Sequence, residues 1–397
     1  MKIKVIFLAV VLWTTFVNPV SGQQVLNDSA SFQKDEAVIK PAIDGIFEAF
    51  EKYALVGLGE RHNLAQIMVF CEQLIRDPRF AGNVGNVVVE FGCAAHQNVI
   101  DRYINGEAVP YTELRQVWTN VAGAIPALMS AHYAHFFFQV RQTNLLLPPE
   151  ERIRIWLGEP PINWSEIKTR DEFNDSWGSR EQHSAGVITK NILARNKKAL
   201  VIYGGAHFVP LDEEEEAIYA RWRKESPETV PPLFQSLQFR LLRIQLETEH
   251  PDVFFVAQVY IGFKDEECTN RFEQRFDDWA FPVLATPVLG TSMERDLREC
   301  LPKPKPHWLS DPSSTWPNFV QEYFRTHPDD HLLFEGDAIL FLGAAAKLTY
   351  SPVLDDLFLD EELRQELSRR MEIMTGQPLP PVWLRNIPFV SPYMRDP

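Results

Sequence analysis

The sequence predicts an α/β fold: a mixed, mainly parallel central sheet flanked by helices on both faces, with an antiparallel hairpin in the second half. In the first half of the 397 residues, short, continuously apolar runs alternate with longer segments of helical periodicity. This alternation is typical of buried parallel strands that are joined by helices. In the second half, the runs 234–246 and 253–263 are separated only by the segment ETEHPD, and this spacing favours a hairpin.

The elements of the first half follow from these two periodicities. Strands are predicted where the apolar runs fall, at 53–59, 86–91, 152–157 and 198–203; the second of them reads NVVVEF, which suits a strand that is covered on both faces. Helices are predicted at 37–53, 64–75, 94–104, 112–121, 131–146 and 181–194. Pro148 and Pro149 end the helix at 131–146, because proline interrupts the helical hydrogen bonds.

The second half is less regular. A helix is predicted at 213–224, where four glutamates form a solvated start, a buried strand at 337–342, and an amphipathic closing helix at 360–374 that Gly376 ends. Residues 264–335 have weak periodicity and several prolines, so we expect long loops and short helices there, arranged as a lid-like insertion. Because no internal repeat or low-complexity linker interrupts the chain, residues 23–397 are predicted to form a single domain.

The composition excludes two classes of partner. The formal net charge is −15 and no basic stripe is present. Surfaces that bind nucleic acid or anionic membranes usually carry the opposite charge. We therefore expect neither partner.

The N-terminus has the features of a signal peptide at 1–22. Lys2 and Lys4 precede an apolar run at 5–17, and small residues at 20–22 suit cleavage before Gln23. The alternative is an N-terminal membrane anchor, but the apolar run is short for a bilayer span. The expected location is secreted or periplasmic, without a lipid anchor because no cysteine follows the cleavage point, and with no later membrane span.

Four cysteines, Cys71, Cys93, Cys268 and Cys300, have no C-x-x-C spacing. Their spacing argues against a zinc knuckle. Buried or loosely paired thiols are the simplest interpretation, and a disulfide is the alternative in an oxidising compartment, although the sequence does not give the pairing.

Polar residues follow each of the four predicted parallel strands. Glu60, Arg61 and His62 follow the first, Glu90 ends the second, Glu159 ends the third, and His207 follows the fourth. Because ligands bind outside the carboxyl ends of the strands in open α/β sheets, we expect these residues to share one site. Four unrelated turns are the alternative, since turns are commonly polar.

This set of residues suits water activation. Clustered carboxylates raise one another's pKa, an imidazole can accept a proton, and the same donors suit a divalent ion such as Zn²⁺ or Mn²⁺. No G-x-S-x-G nucleophile motif is present. Arg61 is a candidate to neutralise the carboxylates or to stabilise an oxyanion. Arg180 and Glu181 are candidates for supporting roles, with a structural salt bridge as the alternative for Arg180.

The remaining candidates receive structural interpretations. His132 and His135, in the aromatic helix at 131–146, are interpreted as ordinary core or surface histidines. Phe136, Phe137 and Phe138 are interpreted as core, with a lining for an apolar substrate as the alternative. His183 follows Arg180 closely enough to support the site.

Four segments, LVGLGERHN, VVVEFG, RDEFND…REQHSAGVI and ALVIYGGAHF, resemble the erythromycin esterase/ChaN/Tiki superfamily in their order and their position at strand ends. The resemblance covers about 55–208. It implies an α/β fold with a site at one sheet edge, where Glu60, His62, Glu90 and His207 match the functional residues. It implies ester or lactone hydrolysis for the esterase branch, metal-dependent peptide hydrolysis for the Tiki branch and haem binding for the ChaN branch.

The chain departs from each branch. Its G-E-R-H spacing is closer to the ChaN branch than to the G-E-x-x-H of the esterases, and it has no lipobox. We therefore expect an exported hydrolase-like protein that acts on an ester, lactone or peptide, as a small-molecule or peptide substrate. The alternative is a protein that binds haem or a metal complex without turnover; haem is less favoured, because its ligands sit in an apolar slot rather than among glutamates.

Overall fold

The computed structural model describes residues 38–122, 130–177, 180–208, 213–226, 242–250, 253–258, 266–287, 291–300, 317–319, 322, 336–354, 356–376 and 378. The predicted signal peptide, most of the predicted strand at 234–246 and much of 264–335 lie outside these residues.

The described residues form an eight-stranded sheet in the order β1-β7-β8-β6-β2-β5-β3-β4. Within this sheet β7 is antiparallel to its neighbours β1 and β8, and the neighbours from β8 to β4 pair in parallel. The strands are β1 (Val38–Pro41), β2 (Leu55–Glu60), β3 (Asn86–Cys93), β4 (Arg154–Glu159), β5 (Ala199–Gly204), β6 (Val253–Gln258), β7 (Val283–Thr286) and β8 (Ala338–Phe341).

Helices connect and cover these strands. In the described residues they are α1 (Ala42–Lys52), α2 (Ala65–Arg76), α3 (Pro78–Asn83), α4 (Gln97–Ile104), α5 (Tyr111–Leu114), α6 (Gln116–Thr119), α7 (Ala131–Leu145), α8 (Arg170–Trp177), α9 (Arg180–Asn191), α10 (Glu213–Glu225), α11 (Leu242–Glu249), α12 (Glu266–Glu273), α13 (Ser292–Cys300), α14 (Asp356–Leu359) and α15 (Glu361–Thr375). As predicted, the last helix ends at Gly376, which adopts a left-handed conformation.

Hydrophobic cores cover both faces of the sheet, which confirms the predicted fold class. Val87 and Val89 pack into the core beneath α1, α2 and α7, whereas Val88 packs into the opposite core with residues of α9 and α11. This alternation is the period of a β-strand whose two faces are both buried. A third core packs on β7 and β8.

The predicted hairpin is wrong in its position. Residues Leu242–Glu249 form a helix, and Val253–Gln258 runs parallel between β2 and β8 rather than beside an antiparallel partner. Leu242 and Leu246 are buried four positions apart, which is a helical spacing that the apolar run concealed. The antiparallel pairing of the second half lies between β7 and β8 instead.

Two short strands were not predicted. Val38–Pro41 pairs with β7, although the sequence suggested a helix from residue 37, and Val283–Thr286 lies inside the region expected to be loops and short helices. Both strands have four residues, which is too short to show a clear alternation. The helix begins only after Pro41.

The four cysteines differ in their pairing, and the three phenylalanines at 136–138 differ in their burial. Cys268 and Cys300 form a disulfide, whereas Cys71 and Cys93 are free and buried. Phe136 and Phe137 are buried as predicted, but Phe138 is 39% exposed and is not part of the core. No helix in the described ranges is long and apolar enough to cross a bilayer.

Candidate functional site

Four neighbouring parallel strands bring charged side chains to one edge of the sheet. Glu60 is the last residue of β2, Glu159 is the last residue of β4, and His207 lies in the short 3₁₀ turn after β5. Glu90 lies within β3, which continues to Cys93. The strand order β2-β5-β3-β4 therefore places all four residues on adjacent strands.

Glu60 and His62 form a pair that a tyrosine holds in place. Glu60 Oε1 lies 2.9 Å from His62 Nδ1 and accepts a 2.7 Å hydrogen bond from the Tyr133 hydroxyl. Tyr133 comes from α7 and stacks on Phe91, with ring centroids 4.1 Å apart. Among the described residues, none bonds to the buried Glu60 Oε2. The pair is thus held through one carboxylate oxygen and leaves the other available.

Glu90 contacts four groups of the site. Its Oε2 accepts a 2.5 Å hydrogen bond from the Gly204 backbone N–H, and its Oε1 accepts one from the Arg180 guanidinium. The same Oε1 lies 3.2 Å from His207 Nε2 and 3.8 Å from His62 Nε2. Burial raises the pKa of Glu90, but the charges of these histidines and of Arg180 outweigh burial and hold it well below its usual range. Glu90 is therefore an ionised carboxylate and a weak base.

His207 lies between two carboxylates. Its Nδ1 is 2.6 Å from Glu181 Oε1, within ion-pair distance although off the direction of a hydrogen bond. Glu181 is held in turn, because its Oε2 accepts a 2.9 Å hydrogen bond from the Leu242 backbone N–H. Burial lowers the pKa of His207, but Glu181 and Glu90 outweigh it and raise the pKa to about 10. His207 is therefore an imidazolium at neutral pH and not the proton acceptor that the sequence suggested.

Arg180 joins two buried carboxylates. As the first residue of α9, it donates from Nε to Glu159 Oε1 and from a terminal nitrogen to Glu90 Oε1. Burial raises the pKa of Glu159, Arg180 opposes that rise, and the resulting pKa is about 7. The structural salt bridge left open for Arg180 is thus present, and it is made to members of the site.

Glycines allow this edge to pack closely. A Cβ atom on Gly204 would lie 3.0 Å from the His62 ring and 3.2 Å from Glu90 Oε2. A Cβ atom on Gly158 would lie 1.7 Å from the Tyr203 hydroxyl. A Cβ at position 158 would displace Tyr203, and a Cβ at position 204 would require His62 or Glu90 to shift by a few tenths of an ångström.

In the cluster at this sheet edge, acidic side chains outnumber basic ones. Four carboxylates, those of Glu60, Glu90, Glu159 and Glu181, face three basic side chains, those of Arg180, His207 and His62. Burial lowers the pKa of His62, but Glu90 and Glu60 outweigh burial and raise it. With both histidines protonated, one negative charge remains when Glu159, whose pKa is about 7, is ionised, and the charges of these side chains balance when Glu159 is protonated.

This negative cluster suits a divalent cation. Glu60, His62 and Glu90 each offer a ligand atom, and the three atoms lie within 4.8 Å of one another. Two carboxylates and an imidazole are ligands that Zn²⁺ or Mn²⁺ accepts. The Glu60 oxygen that no described residue hydrogen-bonds also fits a cation at this position.

The structure brings together seven of the eight predicted site residues: Glu60, His62, Glu90, Glu159, Arg180, Glu181 and His207. The eighth is Arg61. The Arg61 guanidinium lies 3.5 Å from the Tyr350 hydroxyl, and its pKa is lowered by burial. Tyr133 is a site residue that sequence reasoning missed. It lies in a helix where Phe136 and Phe137 are core, and only its hydroxyl distinguishes it from these neighbours in sequence.

Comparison with known proteins does not assign a family. No protein-family model and no curated protein sequence matches the chain. The type III effector HopBA1 is similar in structure with a TM-score of 0.34 and 11% identity, covering 60% of this chain and 90% of that chain. ChaN of Campylobacter jejuni, solved with cofacial haem binding, has a TM-score of 0.29 and 15% identity, covering 55% and 85%. At these TM-scores neither likeness carries an argument, and the resemblance to the esterase superfamily remains a hypothesis based on the four motifs.

Proposed function

We propose that this protein is an exported hydrolase that activates water with Glu60 and His62, and that Glu90 and His207 complete the site. One observation carries the proposal: Glu60, His62 and Glu90 place a ligand atom each within 4.8 Å of the other two. His62 is the most exposed of these side chains, at 18%, against 1% for Glu60 and 4% for Glu90. Substrate and water would therefore approach from the His62 side.

The electrostatics favour Glu60 as the proton acceptor. Glu90 is a weak base because surrounding cations hold its pKa well below its usual range, and Glu159 is bonded to Arg180. Glu60 Oε2 has no hydrogen-bond partner in the described part of the chain, so it is free to accept a proton from water. His62, 2.9 Å from the other oxygen, would orient that water.

His207 would supply positive charge. With its pKa raised to about 10, it remains protonated at neutral pH, and 11% of its side chain is exposed. An imidazolium at this position would stabilise the oxyanion that develops when water attacks a carbonyl carbon. A divalent ion held by Glu60, His62 and Glu90 would replace Glu60 as the group that activates water, because it would increase the acidity of water at the site. The carbonyl of an ester, lactone or peptide is the substrate group that this arrangement suits.

The test is hydrolysis by the purified mature protein. Metal content is measured first, and esters, lactones and peptides are then assayed with and without a chelator. We expect Glu60→Gln and His62→Gln to lower kcat/KM by 10²-fold or more, the range of a general base. Glu48→Gln is the matched control, because Glu48 is an exposed residue that pairs with Lys40 outside the site. Unchanged hydrolysis in both site variants would contradict the proposal.

The second candidate is a haem-binding protein of the ChaN type without turnover. It derives from the G-E-R-H spacing, which is closer to the ChaN branch than to the esterases. The charged side chains around His62 disfavour it, since haem requires an apolar slot. A Soret band that appears on addition of haem and is lost in His62→Ala, together with no hydrolysis, would favour this candidate over the hydrolase.

A further inference from the structure

Glu72 and two histidines form a second cluster, between α2 and α7. Glu72 lies in α2, and His132 and His135 are three residues apart in α7, a spacing that puts both side chains on one helix face. Each of the three offers a ligand atom, and these atoms lie within 4.8 Å of one another. The packing of α2 against α7 thus creates a set of one carboxylate and two imidazoles.

Glu72 is a buried carboxylate with little compensation for its charge. It is 6% exposed, and within the described ranges its side chain forms no ion pair with a lysine or an arginine. Its partner is His135, whose Nδ1 lies 2.6 Å from Glu72 Oε1. Buried carboxylates are usually paired with cations or coordinate metals, so a metal ion at this point would stabilise Glu72.

The two histidines present suitable donors. His135 presents Nδ1 to Glu72, 2.6 Å from Oε1, and its Nε2 lies 3.1 Å from the Gln139 side-chain amide. His132 Nδ1 is buried, and no described residue hydrogen-bonds to it. Buried polar atoms without a partner are rare and call for an explanation. Coordination would give the His132 ring a polar partner that the described part of the protein does not provide.

We propose that Glu72, His132 and His135 form a second metal site, which binds a divalent ion of the zinc type. Two imidazoles and a carboxylate are a ligand set that Zn²⁺ accepts, whereas Mg²⁺ and Ca²⁺ prefer oxygen ligands. The His135 side chain is 32% exposed, so the ion has a path from solvent. A fourth ligand position is open to water.

The bound ion would join two helices that flank the candidate active site. Tyr133 lies between the two histidines in sequence and donates its hydroxyl to Glu60. An ion that fixes α7 against α2 therefore also fixes the position of this hydroxyl. Binding itself does not depend on the hydrolase function, because it uses a separate set of ligands.

The experiment counts Zn²⁺ ions in the full mature chain. Metal-free protein is titrated with ZnCl₂ against a chromophoric chelator, and the unfolding temperature is recorded with and without Zn²⁺. A Glu60→Gln/His62→Gln background removes the ligands of the first site. In this background we expect one equivalent of Zn²⁺ and a higher unfolding temperature in its presence.

The variant His132→Gln/His135→Gln, added to the background, is expected to weaken binding by 100-fold or more, since loss of an outer-shell partner alone costs 10–100-fold. His250→Gln, outside both clusters, is the matched control and should leave the equivalent in place. Circular dichroism checks that each variant is folded. If the background variant is unfolded, His132→Gln/His135→Gln is made in the wild-type chain instead, and this variant should bind one equivalent of Zn²⁺ fewer than the wild type. Zero equivalents in a folded background variant, or an unchanged affinity in His132→Gln/His135→Gln, would overturn the proposal.

Discussion

The raised pKa of His207 predicts how the stability of the protein depends on pH. The His207 pKa rises from 6.5 to about 10 on folding, because Glu181 and Glu90 outweigh the effect of burial. Below pH 6.5 both the folded and the unfolded chain hold the proton, so the stabilisation is fully present. Above pH 6.5 the unfolded chain releases the proton first, and the stabilisation is lost as the pH rises towards 10.

The size of this effect follows from the two pKa values. A rise from 6.5 to about 10 corresponds to a difference in the free energy of unfolding on the order of 5 kcal/mol. The His207→Gln variant lacks the titrating group. We therefore expect it to be less stable than the wild type by several kcal/mol at pH 6.5 and by much less at pH 10.

Urea unfolding of both proteins at intervals from pH 6.5 to pH 10 measures this difference directly. Glu159, with its pKa of about 7, also contributes stability below pH 4.5 that is lost as the pH rises through 7, so the part of the comparison that reports on His207 lies above this range, towards pH 10. If the gap between His207→Gln and the wild type is constant with pH, then His207 is not held as an imidazolium.

Two further substitutions test the packing and the charges of the site. Arg180→Met removes the cation that joins two buried carboxylates, and denaturant unfolding should show a loss of about 3–5 kcal/mol in the free energy of unfolding. Arg79→Met, which breaks an exposed ion pair, should cost far less, and equal losses in the two variants would contradict the role of burial. Gly158→Ala places a Cβ 1.7 Å from the Tyr203 hydroxyl and should cost about 1–3 kcal/mol. Gly186→Ala in α9, with nothing within 4 Å, should be neutral or stabilising, and a tolerated Gly158→Ala would refute the close approach.

The parallel part of the fold could be predicted because its strands are buried on both faces. A strand such as Asn86–Cys93 has all eight residues buried, so its apolar run is nearly continuous and stands out from the helices. Two of the strand ends could be predicted for the same reason, since the apolar runs of β2 and β4 end at Glu60 and Glu159. The short strands β1 and β7 could not, because pairing with distant segments, rather than local pattern, decides their conformation. The helix at Leu242–Glu249 could not, because the apolar run concealed its helical spacing.

The contacts of the site were less accessible to sequence reasoning. Tyr133 and Glu181 reach Glu60 and His207 from helices that are far away in the chain, and no local motif records these distances. The same applies to Glu72, which lies 63 residues from His135. Sequence alone led to the interpretation of His132 and His135 as ordinary histidines, because the carboxylate that gives them a possible ligand set is supplied by another helix.

The burial of so many charges at one sheet edge is itself an argument for function. Replacing a buried ionic group by apolar residues of similar volume is often neutral or stabilising, so a core selected only for stability would not retain Glu60, Glu90 and Glu159 at adjacent strand ends. The rest of the sheet follows the apolar pattern closely. A local departure from an otherwise consistent pattern is expected where a protein uses the site for chemistry, and this edge of the sheet is such a departure.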